Sequence, residues 1–109
     1  MVKQGDIIFT NFSPQAGSEQ SGLRPALVIS AQNYHDTRAK RAIVCPITST
    51  DRKLPIHVKL DARTRTHGFI MCDHLKSIDL HARGCRYIET APRDVVEFVL
   101  DIIADFMDM

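Results

Sequence analysis

Gly17-Ser18-Glu19-Gln20-Ser21-Gly22-Leu23-Arg24-Pro25-Ala26-Leu27-Val28-Ile29-Ser30 is a polar loop, bounded by glycines, that runs into an apolar strand. Gly17 and Gly22 tolerate backbone angles that other residues avoid, so the loop can turn sharply at modest cost. Its only charges are Glu19 and Arg24. Pro25 biases Arg24 towards an extended backbone and is acceptable at the first residue of a strand, which predicts a strand over 25–30 with Arg24 at the loop–strand junction. Ala26 to Ile29 is an almost continuous apolar run, the pattern of a central strand covered on both faces. A guanidinium on a rigid strand end, beside a loop carrying a carboxylate and two serines, suits a phosphate. The competing reading is a surface turn with a solvated ion pair.

Outward from that stretch the chain reads as short strands. Residues 5–12 are rich in β-branched and aromatic side chains and predict a first strand, closed by Ser13-Pro14. Residues 31–37 could form one helical turn, followed by the basic corner Arg38-Ala39-Lys40-Arg41. A strand is predicted over 42–49, where Pro46 implies an edge, a bulge or the strand's end. Residues 55–60 alternate, with Ile56, Val58 and Leu60 on one face of a half-buried strand. The polar loop 61–67 carries Arg63 and Arg65, residues 68–72 are the next strand, 73–84 a polar connection, and 86–90 a small strand. The only long helix comes last: Thr90 can cap it, Pro92 fits its first turn and Asp94 favours the positive end of its dipole. Its acids line one stripe and Val95, Val96, Phe98, Val99, Leu100, Ile102, Ile103, Phe106 and Met107 fill the remaining arc. That wide arc needs cover on more than one side, and a second subunit is one source of it. Short strands with one terminal helix predict an α+β domain, mainly β: a small barrel or two-sheet fold.

A chain of 109 residues makes a single domain, 1–109, with one core. Its 44% apolar content argues against disorder. No apolar run approaches the roughly 18 residues of a membrane span, and Met1 to Asp6 lack the apolar stretch of a signal peptide, so a cytoplasmic location is expected. Cys45, Cys72 and Cys85 are odd in number with no C-x-x-C pair, which predicts reduced, buried thiols. Residues 94–109 hold five acids and no base, whereas residues 1–93 hold fourteen bases and eight acids, a net of +6. A basic body suits a polyanion, because Lys and Arg that neutralise phosphates release counterions. Cys72-Asp73-His74, which would place Cys72 and His74 on one strand face, with His67 near, raises a metal site, but zinc sites usually show two close ligand pairs and the second is missing; no metal is expected.

The stretch 17–30, with Gly5-Asp6-Ile7-Ile8 before it and Cys45-Pro46-Ile47-Thr48 after it, resembles the MazF/PemK (Kid) toxins of type II toxin–antitoxin systems. The match continues through Cys72-Asp73-His74-Leu75-Lys76-Ser77-Ile78-Asp79 and Leu80-His81-Ala82-Arg83-Gly84 and covers nearly the whole chain. The resemblance implies the SH3-like barrel of MazF and the gyrase toxin CcdB, a homodimer and a MazE-like antitoxin whose acidic segment competes with RNA. It also implies sequence-specific cleavage of single-stranded RNA, often messenger RNA, without metal or cofactor. The ribose 2′-hydroxyl attacks its own phosphate and leaves a 2′,3′-cyclic phosphate and a 5′-hydroxyl.

By that resemblance Arg24 is the functional arginine. At a pKa above about 12 it is not a simple general base, and its role is to stabilise the phosphorane, with proton donation to the leaving oxygen as a further possibility. Thr48 matches the family's threonine, Glu19 the carboxylate proposed as base in MazF, and Asp73 the one proposed in Kid. Kid-type relatives have His where this chain has Ser18 and Arg where it has Met71, which favours a MazF-like arrangement around Glu19, Arg24 and Thr48. Ser18, Gln20, Lys53, Arg63, Arg65, Lys76, Arg83 and Arg86 are candidates for RNA contacts, and Tyr34, Phe69 and Tyr87 for stacking on bases. The alternative is a non-catalytic module that binds gyrase, as CcdB does, or holds nucleic acid uncut.

Overall fold

The computed structural model describes residues 2–12, 22–37 and 40–109. Its strands are β1 (Asp6–Asn11), β2 (Leu23–Val28), β3 (Arg41–Thr48), β4 (His57–Lys59), β5 (Phe69–Met71), β6 (Lys76–Asp79) and β7 (Cys85–Thr90). The helices are α1 (Gln32–Thr37), α2 (Leu80–Arg83) and α3 (Arg93–Phe106), and a 3-10 turn spans Cys72–His74. The ladder runs β4-β5-β3-β2-β1-β7, with β6 also paired to β3, and every pairing is antiparallel. The sheet is mainly β with a terminal helix, as expected, but its path is open and not a closed barrel.

The apolar run after Arg24 is explained by burial on two faces. Leu27 and Ile29 join Ile7, Cys45, Ile47, Val58 and Ile70 in one cluster, which α3 covers with Val95, Val96, Val99 and Ile103. Ala26 and Val28 join Ile8, Phe12, Ala42, Val44 and Ile78 in a second. Each fully buried aliphatic side chain contributes about 1.5–3 kcal/mol. The stretch between two such clusters, residues 26–29, is therefore apolar at both parities.

Several expectations are corrected. β2 begins at Leu23, so Pro25 is its third residue, opposite Phe9, and Arg24 lies within the strand. Pro46 is neither at an edge nor at the end of β3: it faces Ala26 on one side, and on the other it falls in the gap between the β6 pairing at 41–44 and the β5 pairing at 47–48. A residue without an N–H is tolerated where no partner strand needs one. The 73–84 connection contains the turn, β6 and α2. The turn interposes residues between β5 and β6, so Cys72 and His74 do not share a strand face; Cys72 is buried in the core. Thr90 does not cap α3. Its hydroxyl donates to Asp6 Oδ1 at 3.1 Å, and Pro92 occupies the cap position without a side-chain bond. Cys45 and Cys72 are buried, whereas Cys85 is exposed.

Candidate functional site

Arg24 enters the site through β2. It stands opposite Thr10 of β1, half-buried, with the parity of Ala26 and Val28. On the β2–β3 ladder the last pair towards this end is Ala26 with Pro46. Arg24 and Thr48 each lie two residues beyond that pair on their own strands. The sequence-distant arginine and threonine thus reach one end of the sheet on neighbouring rigid strands. The loop 13–21 springs from the same end, where Phe12 N–H donates to Gly22 C=O at 2.9 Å. Ser18, Glu19 and Gln20 lie outside the described residues.

Thr48 is buried, at 3% exposure, and its Oγ1 accepts from Thr50 N–H at 3.2 Å. The acceptor side of that hydroxyl holds the following loop, and its O–H remains a donor.

Three of the expected cations each contact a residue between Phe9 and Phe12, at the end of β1 or just after it. The Lys76 ammonium lies 5.8 Å from the centre of the Phe12 ring, and the Arg86 guanidinium lies 5.5 Å from that of Phe9. Arg83 donates to Asn11 C=O at 3.2 Å. Ordering against an aromatic face or a carbonyl fixes these heads in place and keeps their charge. Arg83 lines two adjoining cavities: one of about 380 Å³ with Phe9, Leu23 and Arg86, the other of about 330 Å³ with Asn11, Arg41 and Ser77. Arg41 was part of the basic corner in the sequence; here it donates to Ser77 Oγ and Ser77 C=O, both at 3.1 Å. Asp79 beside it is held below the usual carboxylate range, chiefly by the Ala82 N–H at the start of α2.

The other expected cations are placed differently. Lys53 is highly exposed and pairs with Asp51 at 3.3 Å. Arg63 is engaged within the chain: it binds Asp61 and, through Nη1 and Nη2, both oxygens of Asp94 at 2.8 and 2.9 Å. Arg65 donates to Ile88 C=O at 2.9 Å. Glu89 accepts from the backbone N–H groups of Arg65 and Thr66 and from the Thr66 hydroxyl. These bonds strap the 61–67 loop to β7 and to the start of α3. Of the stacking candidates, Tyr87 is exposed, and Tyr34 and Phe69 are half-buried.

Asp73 lies in the 3-10 turn, partly exposed. Its Oδ1 is 2.9 Å from Nε2 of His57, and its Oδ2 is 3.8 Å from Nε2 of His74. His57 is a residue that sequence reasoning missed: in β4 it has the parity opposite to buried Val58, yet its own side chain is only 2% exposed. Nothing in an alternating strand marks such a histidine as paired to a carboxylate sixteen residues on. Burial pushes the thiols of Cys45 and Cys72 up, with the Asp73 charge adding to both; that of Cys72 reaches about 12. Among the described residues no group of three or more His, Cys, Asp or Glu is placed to hold a metal ion.

Residues 3–107 match the family model described as PemK-like, MazF-like toxin of type II toxin–antitoxin system. The chain is 32% identical over 103 residues to endoribonuclease PemK of Escherichia coli, covering 91% of this chain and 77% of that one. Its fold superposes on the crystal structure of MazF from Deinococcus radiodurans with a TM-score of 0.91 and 34% identity, covering 99% of this chain and 97% of that one. On MazF in a MazE–MazF complex from the same organism the TM-score is 0.86 at 34% identity, covering 99% and 96%. The two-faced sheet, its terminal helix and the matched length agree, and the chain belongs to the PemK-like, MazF-like toxin family of type II toxin–antitoxin systems.

Proposed function

We propose that this toxin is a sequence-specific endoribonuclease that cuts single-stranded RNA without a metal, leaving a 2′,3′-cyclic phosphate and a 5′-hydroxyl. The observation that carries the reading is the placement of Arg24 and Thr48 at corresponding positions on neighbouring strands; separate cations contact Phe9, Asn11 and Phe12 along and just after the adjoining strand β1. A guanidinium fixed there cancels the charge that builds on the phosphorus as the 2′-oxygen closes on it. The Thr48 O–H donates to a phosphate oxygen. Glu19 or Asp73 takes the 2′-hydroxyl proton. Lys76, Arg83 and Arg86 hold the flanking phosphates, with Ser18, Gln20, Lys53 and Arg65 at the edges of the same track. The bonds Arg63 makes to Asp61 and Asp94 remove it from our set of phosphate contacts. The endoribonuclease name of the PemK relative supports cleavage over gyrase binding.

The working unit we propose is a cytoplasmic homodimer. Phe98 and Phe106 of α3 are 55% and 42% exposed, so one edge of the helix's apolar arc is not covered by its own chain. A MazE-like antitoxin with an acidic segment would compete with RNA for the basic groove; a MazE–MazF complex among the similar structures supports it.

Primer extension on a long RNA, with and without EDTA, tests the reading. We expect discrete cuts that EDTA does not abolish, and a loss of about 10²- to 10³-fold in rate for Arg24→Ala, folded by circular dichroism. Parental cleavage by that variant would remove Arg24 from the mechanism.

A further inference from the structure

We propose that His57 is a positioning residue for RNA cleavage, acting by fixing the carboxylate of Asp73. The proposal rests on the reading of Asp73 as part of the RNA-cleaving site.

The argument starts from an unusual buried group. The His57 side chain is 2% exposed, and its Nδ1 is sealed from solvent with no hydrogen-bond partner among the described residues. An apolar side chain in β4 would fill the same space without an orphaned nitrogen, so packing alone gives no reason for an imidazole. The other nitrogen supplies the reason. Nε2 is 2.9 Å from Asp73 Oδ1, and because a carboxylate accepts and does not donate, the proton of that bond sits on Nε2.

The consequence falls on Asp73. Its side chain is 34% exposed, and without a tether a carboxylate on a three-residue turn would sample several rotamers. A donor held rigid in the core fixes Oδ1 and with it the plane of the carboxylate. Beside Oδ2 stands His74, whose Nε2 at 3.8 Å is beyond hydrogen-bond reach. Asp73 therefore offers one oxygen in a set direction, as a group that must accept a proton or a hydrogen bond from a nucleotide requires. The bond also ties β4 to the turn, and the test separates that structural effect from positioning.

Cleavage of one RNA substrate is measured under single-turnover conditions for the parent chain, His57→Leu, His57→Gln, Asp73→Asn and the His57→Leu/Asp73→Asn double variant. His57→Leu removes the donor and should lower the rate about tenfold or more. His57→Gln places an amide N–H near the position of Nε2 and should recover most of that loss. In the Asp73→Asn background His57→Leu should cost nothing further. Long-range proton–nitrogen NMR of the histidine rings should show the His57 proton on Nε2 in the parent and a shifted signal in Asp73→Asn. Equal losses in Leu and Gln, or additive losses in the double variant, would overturn the positioning role. A slow Asp73→Asn with a fully active His57→Leu would sink the positioning role alone. An Asp73→Asn that cleaves at the parental rate would sink the reading of Asp73 and with it this proposal, and the NMR signal would then report a purely structural pair.

Discussion

Gly68 passes so close to Thr48 that a Cβ built on it would lie 2.4 Å from the Thr48 carbonyl oxygen. The contact follows from the sheet: Thr48 is paired with Phe69, and the residue before Phe69 must cross the end of β3 with a φ of +129°. Only glycine adopts that backbone without strain.

Gly68→Ala should therefore destabilise the fold by about 2 kcal/mol or more, since neither the clash with backbone nor the positive φ can be relieved by a side-chain rotation. Because the atom that must move belongs to Thr48, cleavage should fall as well. Thermal melts and rate measurements below the melting temperature check both effects. A variant with parental stability would show that β3 and β5 can part at this point without cost.

The Arg63 clamp predicts a pH-dependent contribution to stability. Asp94 is held below its ordinary range mainly by its bond to Arg63, and Asp61 likewise by Arg63. A carboxyl with a lowered folded-state value contributes stability that is present above the unfolded value of about 4 and is lost as pH falls through the folded value. Arg63→Ala should lower the melting temperature at pH 7, and the difference from the parent should close as pH drops below about 4. The groups are exposed, so added salt should narrow it too. A gap that does not begin to narrow as pH falls below about 4 would mean that Arg63 acts through packing.

Salt should weaken RNA binding, and Lys76 should account for part of the slope. With a substrate blocked by a 2′-deoxy sugar at the cut, log affinity should fall linearly with log salt, and Lys76→Ala should reduce the slope by about 0.7, the share of one phosphate contact on a single strand. An affinity flat from low to high ionic strength would place the RNA elsewhere on the molecule.

Much of this was legible because the local signals were strong. The run Ala26–Ile29 needed burial on two faces and received it from the two clusters, and the spacing of Val95, Val96, Val99 and Ile103 set the face that α3 buries. β6 was hidden because Lys76-Ser77-Ile78-Asp79 carries a single buried side chain, Ile78, and the strand exists through its ladder to β3. Thr90 looks like a cap until Asp6, remote in sequence, claims its hydroxyl.

Residue order alone determined the family, the mainly β fold, the basic body with its acidic terminal helix, and Arg24 with Thr48 as the pair to watch, because periodicity and short motifs are properties of neighbours along a chain. Tertiary structure alone decided that Arg63 is held by Asp94, that Lys76 covers the Phe12 ring while Arg83 binds the Asn11 carbonyl, and that a buried imidazole holds Asp73. Hydrogen bonds and ion pairs act over about 3 Å of space and carry no signature of the number of residues between their partners.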